Sequence, residues 1–214
     1  MKIRIADISQ RKVVKIAGVG YLIIIIAGFF AFFVLSNLIV PGDAAKTAKN
    51  IQANQWLFRI MIISFLIMLT FDVIVGLALY VILKPVNYKL SLFAVIFRLI
   101  QAFFIAISLV ILFIEPLSFN NIYLIGQIFF ALYLLILGYL VFKFSYIPRF
   151  VGILLIIGGA LGYLLESLMY FLFPDYVAIA LPGLVVGTIG EIALTLWLIL
   201  KGHKIPEILN NEES

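Results

Sequence analysis

The chain consists of long, nearly continuous apolar segments separated by short polar connections. Each segment is long enough to cross a bilayer as a helix, which takes roughly 20 apolar residues. The segments lack the alternation of barrel strands, and only helices and closed barrels satisfy their own backbone in hydrocarbon. We therefore predict an all-α, polytopic transmembrane bundle. Its six spans are residues 13–40, 57–83, 90–114, 122–142, 150–173 and 177–200.

Two connections carry further signals. The longest predicts a short helix over about 43–54, with Asp43 as a plausible N-cap. That helix is interpreted either as a surface helix on the membrane or as a gate. Pro182 falls inside the last apolar segment, so the sixth helix either kinks there or begins near that proline.

Composition leaves no room for a second, soluble domain. Of the 214 residues, 65% are hydrophobic and only 12% are charged, whereas soluble domains average about 25% charged residues. We divide the chain into a basic N-terminal segment (1–12), the six-helix domain (13–202) and a polar tail (203–214). The tail is expected to be disordered and solvated, together with His203, the only histidine.

Lysine and arginine fall almost entirely on one side of the predicted membrane. Eleven of the 15 share the side of both termini, two lie on the other side, and Arg59 and Arg98 lie within helices. The eleven are Lys2, Arg4, Arg11, Lys12, Lys15, Lys84, Lys89, Lys143, Arg149, Lys201 and Lys204. Because short basic loops stay in the cytoplasm, we predict a plasma-membrane protein with both termini cytoplasmic and the 43–54 helix outside.

Several segments together resemble a family of small bacterial integral membrane proteins, that of domain of unknown function 4386. The segments, in order, are "PGDAAKTAKNI", "LFR", "DVIVGLALYVILKPVNYKLSLFAVIFRLIQA", "LGYLVFKFSYIPRFVGILL" and "GEIALTLWLILKG". The resemblance covers about residues 16–202. Polar residues fall where the family pattern has them: Asp43, Arg59, Asp72, Asn87, Arg98, Gln101 and Glu191. Glu166 stands where members often have aspartate. The resemblance implies polytopic topology and brings no activity, substrate or cofactor.

Charged residues inside the apolar segments form the strongest candidate site. Asp72, Arg98 and Glu191 all lie about 12–17 Å from the cytoplasmic ends of their helices, at about 1.5 Å per residue. Such charges must face the bundle interior, a partner or water. We predict that Arg98 bridges Asp72 and Glu191. Gln101, one turn along the same helix, would add hydrogen bonds, and the three charges sum to minus one unless one acid keeps a proton.

A second pair is predicted near the opposite membrane surface, between Arg59 and Glu166. Glycines in the last two spans predict close packing of that hairpin rather than ligand contact. These glycines are Gly158, Gly159, Gly162, Gly183, Gly187 and Gly190.

Two functions remain open for the inner layer formed by Asp72, Arg98, Gln101 and Glu191. The first is binding or transport of a small molecule, ion or proton. The second is a scaffold or accessory subunit in which the charges fix helix register as an ion-pair network. A cavity reaching Arg98 would favour the first function, and a sealed apolar layer the second. A carboxylate metal site is disfavoured because Arg98 competes with a metal.

Other chemistry is not supported by the residues present. The chain has no cysteine, no histidine in a span and no lysine deep in a span. Thiolate and haem sites, zinc or copper sites, a retinal Schiff base and intramembrane protease sets therefore cannot be assembled. We assign no catalytic residue, metal or cofactor, and expect no conventional enzyme activity. The expected partners are the lipid bilayer, a small ligand or ion, and either a second copy of the chain or a partner membrane subunit, but not nucleic acid.

Overall fold

The computed structural model describes residues 10–205. Residues 1–9 and 206–214 lie outside the described part, and with them Lys2, Arg4 and most of the predicted polar tail. Within residues 10–205 the chain is helical without strands, and six helices are long and apolar enough to cross a membrane. The prediction of an all-α bundle with six membrane-spanning helices is confirmed.

The bundle contains eight α-helices in the described chain. They are α1 (Gln10–Leu38), α2 (Ala44–Ala53), α3 (Gln55–Leu83), α4 (Tyr88–Ile114), α5 (Phe119–Lys143), α6 (Arg149–Ile157), α7 (Leu165–Leu172) and α8 (Leu181–Lys201). A π-helical segment, Gly158–Leu164, joins α6 to α7, so that the three pieces form one continuous fifth span. The helix α2 lies in the longest connection, where the sequence predicts a short helix.

Local signals set several of these helix ends. The Asp43 side chain accepts a hydrogen bond from the Lys46 N–H at 2.8 Å and caps α2, and Asn87 caps α4 in the same manner. Of the two alternatives for Pro182, the second is correct, because α8 begins at Leu181 and the proline lies in its first turn. Proline is tolerated there because the first N–H groups of a helix have no intrahelical partner.

Glycines bring the fifth span and α8 into backbone contact. A Cβ on Gly158 would collide with the Cα of Gly187, and a Cβ on Gly162 would collide with the main chain at Gly183. Larger residues at these positions would push the two helices apart. The predicted close packing of the last hairpin is confirmed.

Two apolar clusters fill the interior. One lies at the lysine end of the bundle, where α3, α5 and α8 reach Lys84, Lys143 and Lys201, and it includes residues from every spanning helix. The other lies at the opposite end, here called the α2 end, and draws on α1, α3, α4 and the start of α5. Along their helices, the buried polar residues Asp72, Arg98, Gln101 and Gln127 lie between these two clusters.

Candidate functional site

The four residues of the predicted inner layer all lie around one cavity. Asp72 and Arg98 are 3% and 1% exposed, and Gln101 and Glu191 are 4% and 8% exposed. The helices α3, α4 and α8 supply them, and all four line the same internal space. The residues that the sequence places at a common depth in the membrane therefore line a common cavity in the folded chain.

Arg98 and Asp72 form a closed ion pair between α4 and α3. The Nη2 atom of Arg98 lies 2.6 Å from Oδ1 of Asp72. The Nε of Arg98 also donates to the main-chain carbonyl oxygen of Asp72 at 3.1 Å. Both groups are buried, so each charge has lost its contact with water. The two contacts offset this desolvation cost, which an isolated buried charge would bear in full.

Aromatic rings enclose the guanidinium group of Arg98. Its Cζ lies 4.7 Å from the ring centroid of Tyr133, 5.1 Å from that of Tyr21 and 5.9 Å from that of Phe130. Nη1 donates to the Tyr21 hydroxyl at 3.3 Å, and that hydroxyl lies 2.8 Å from the Tyr133 hydroxyl. Gly76 on α3 leaves room for the arginine, since a Cβ there would lie 3.2 Å from the Arg98 Cδ. Cation–π contacts and hydrogen bonds thus hold the cation on several sides.

The predicted bridge from Arg98 to Glu191 is wrong. No ion pair joins Glu191 to a cation in the part of the chain that the structure describes. Its Oε1 instead accepts a hydrogen bond from the Tyr163 hydroxyl at 3.0 Å. The reason is the arrangement of the helices. Arg98 binds Asp72 on the neighbouring helix α3 and also Tyr21, whereas α8, which carries Glu191, packs on the π-helical segment that carries Tyr163.

The cavity beside these groups has a volume of about 250 Å³. All six spans contribute to its wall. One side is apolar, with residues such as Ile24, Phe32 and Ile105. The polar side consists of Gln101, Gln127, Tyr163, Thr188 and Glu191 next to the Arg98–Asp72 pair. The layer is therefore bordered by open space and is not sealed by apolar packing.

Two amides on the cavity wall lack partners. The Oε1 atoms of Gln101 and Gln127 are buried and have no hydrogen-bond partner within residues 10–205. Both side chains are nearly inaccessible, at 4% and 3% exposed. An unpaired buried polar group costs free energy, so each such group calls for an explanation, and a bound molecule is one.

Sequence reasoning missed three of the polar wall residues. Gln127 could have been found from the sequence, because it is an amide side chain inside an apolar span, as Gln101 is on α4. Tyr163 and Thr188 carried none, because tyrosine and threonine are common in spans, where a threonine hydroxyl can bond to its own helix. Thr188 does so, donating to the Leu184 carbonyl oxygen at 2.9 Å.

The predicted pair of Arg59 and Glu166 is also wrong. No ion pair joins them among the described residues, and Arg59 is exposed while Glu166 is half-buried. Their helices are not arranged for contact: α3 packs on α1 and α4, whereas α7 packs on α5 and on the rest of the last hairpin. Neither residue lines the cavity.

Within residues 10–205, no three histidine, aspartate or glutamate side chains cluster in a way that would hold a metal ion. Asp72 and Glu191 both line the cavity, but the carboxyl group of Asp72 is already paired with Arg98.

Comparison with known proteins finds a family and an uncharacterised relative. The family model described as "Domain of unknown function (DUF4386)" matches residues 16–121 and 116–202. A protein of Archaeoglobus fulgidus, described as "Uncharacterized protein", is 31% identical over 149 residues, which cover 70% of this chain and 88% of the relative. No solved structure matches the chain.

Proposed function

Because the chain belongs to the family described as Domain of unknown function (DUF4386), and that description assigns no activity, we propose a function from the cavity itself. The protein is a multi-pass membrane protein that binds a small organic cation, an ammonium compound, beside Glu191. Binding is the step that a transporter and a ligand sensor share. The observation that carries this proposal is an open cavity against a buried carboxyl group that forms no ion pair with any residue between 10 and 205.

The charge balance of the layer supports a cationic ligand. Asp72 and Arg98 neutralise each other at 2.6 Å, which leaves Glu191 as the remaining acidic group. The Tyr163 hydroxyl, at 3.0 Å from Oε1 of Glu191, supplies a hydrogen bond but no positive charge. An ammonium group would supply both the charge and further N–H donors.

The neighbouring amides support the same ligand chemistry. The unpartnered Oε1 atoms of Gln101 and Gln127 accept hydrogen bonds only. An ammonium group has donors and no acceptors, so it complements the Glu191 carboxylate, and it would also satisfy either amide oxygen once that oxygen turns toward the cavity. The cavity of about 250 Å³ equals the liquid volume of only about eight water molecules, at about 30 Å³ each. The group bound inside it is therefore small.

Binding of n-butylammonium to the detergent-purified protein tests the proposal by calorimetry. We expect Glu191→Gln to weaken binding at least tenfold, which corresponds to about 1.4 kcal/mol, because the amide keeps the shape and removes the charge. Glu166→Gln is the matched control, since Glu166 is an intramembrane acid outside the cavity wall, and this variant should bind as the parent does.

Two results would contradict the proposal. One is a parent protein that shows no binding of n-butylammonium at millimolar concentration. The other is equal affinity in the parent and in Glu191→Gln, with n-butanol binding as tightly as the ammonium compound. That pattern would identify a neutral hydrogen-bonding pocket.

We also propose that both termini are cytoplasmic and that the membrane is the plasma membrane, on the basis of the lysine and arginine distribution. A reporter that is active only in the cytoplasm should be active when fused after Ser214 and inactive when inserted in the connection around α2. The reverse pattern would invert the topology.

A further inference from the structure

The cavity opens on the side of the bundle and not at its ends. Every residue on its wall lies within a spanning helix, and none lies in α2 or in a connection of the described chain. At the α2 end, the rings of Phe32 and Tyr123 meet at 5.0 Å between centroids. Toward the lysine end, the next layer of the bundle is the apolar cluster that includes residues from all six spans. The remaining opening is lateral.

The opening follows from the way α1 and α8 pack. Near the lysine end they touch closely: Gly18 lies against Ile199, and Gly202 lies against Val14. Toward the α2 end, α1 packs instead with α3, α4 and the start of α5, in a cluster that contains no described residue of α6, α7 or α8. The two helices therefore meet at one end of the bundle and leave space between them farther along.

The rim of this space is apolar on the α1 side and reaches the surface. Phe29 lines the cavity and is also 61% exposed, so the cavity extends to the lateral face beside α1. Ile25 on α1 and Thr188 on α8 line it as well and are half-buried. These positions lie well inside apolar spans, at a depth where the surroundings of a membrane protein are acyl chains.

We propose that the ligand is a membrane amphiphile, with an ammonium head beside Glu191 and a hydrocarbon chain that passes between α1 and α8 into the lipid. This inference rests on the proposed cation-binding function and adds the class of molecule and its route. A cavity with polar groups at the back and an apolar, lipid-facing mouth matches a molecule of that shape. A strictly water-soluble cation would instead need an opening lined by helix ends.

The absence of cysteine from the chain permits a clean test. Phe29→Cys places a single thiol at the mouth, and a bulky thiol reagent then fills the gap. Phe33→Cys is the matched control: Phe33 lies one turn along the same helix, is 69% exposed and does not line the cavity. Dodecylamine and n-butylamine, both as ammonium ions, are the probes. Equilibrium binding is measured in phosphatidylcholine nanodiscs, where partitioning into lipid is the same for every variant.

We expect the modified Phe29→Cys protein to bind dodecylamine at least tenfold more weakly than the unmodified variant. The modified Phe33→Cys protein should be unchanged. When n-butylamine is added before the thiol reagent, its short chain lies within the cavity, so it should stay bound in both proteins. Dodecylamine binding that is equal in the two modified proteins would overturn the lateral route while Glu191-dependent binding of n-butylamine still supported the proposed function. If neither amine bound in a Glu191-dependent way, both proposals would fail.

Discussion

The polar layer contains two buried carboxyl groups, Asp72 and Glu191, that differ in their partners. Asp72 faces a guanidinium group that contacts it at two points and is itself held by Tyr21. Glu191 faces a tyrosine hydroxyl and open space. Asp72 and its partners are the closed side of the layer, and Glu191 with the cavity wall is the open side. Equal burial therefore does not imply equal roles: compensation by a partner separates a structural charge from one available to a ligand.

The largest expected effect comes from breaking the closed side. Asp72→Asn removes the charge that compensates Arg98 and leaves the cation buried among aromatic rings. Breaking a buried pair in this way costs about 3–5 kcal/mol. We expect a lower midpoint of thermal unfolding in detergent, measured by loss of helical circular dichroism. Glu191→Gln, the same kind of substitution on the open side, should stay within about 1 kcal/mol of the parent, because the amide oxygen still accepts from Tyr163.

A double variant separates an uncompensated charge from a simple loss of packing. Asp72→Leu combined with Arg98→Met replaces the pair by apolar side chains, which is often neutral or stabilising in buried sites. It should recover most of the stability that Asp72→Asn loses. If Asp72→Asn and Glu191→Gln destabilised the protein equally, the distinction between the closed and open sides would be lost.

The sequence predicts heights in the membrane well and neighbours poorly. Six spans follow from length and hydropathy, because a helix in hydrocarbon satisfies its own backbone and must cover the bilayer thickness. The common depth of Asp72, Arg98 and Glu191 follows from the fixed rise per residue. Which helices stand side by side, and how each is rotated about its axis, is set by packing across the whole bundle and is not contained in those rules.

Both incorrect pairings have this origin. Arg98 and Glu191 are matched in height, yet the arginine turns to Asp72 on α3 and the glutamate turns to Tyr163. Height alone pairs Arg59 with Glu166, although α3 and α7 pack on different helices. The π-helical segment that carries Tyr163 left no sequence signal beyond its glycines, and so the partner of Glu191 was not predictable.

An intermediate effect is expected when one tyrosine hydroxyl is removed from each side. Tyr21→Phe deletes the acceptor for Arg98 Nη1 and the partner of the Tyr133 hydroxyl, both fully buried. Unsatisfied buried groups cost about 1–3 kcal/mol, so the unfolding midpoint should fall. Tyr163→Phe should cost less stability, because Glu191 borders a cavity where water can replace the lost donor. A larger loss for Tyr163→Phe than for Tyr21→Phe would reverse the assignment of the two sides.

The smallest effect, and one of opposite sign, is expected for Gln127→Leu. The Gln127 amide oxygen is buried without a hydrogen-bond partner among the described residues, so the desolvation of this oxygen is not offset. Leucine has a similar size and no polar atom, and the substitution should leave the protein as stable as the parent or more stable by up to about 1 kcal/mol. The same variant should bind n-butylammonium more weakly, because it removes a polar amide group from the residues that line the cavity. A stable protein with impaired binding is the pattern of a group retained for a ligand. A clear loss of stability would instead place Gln127 with Asp72 and Tyr21 on the closed side of the layer.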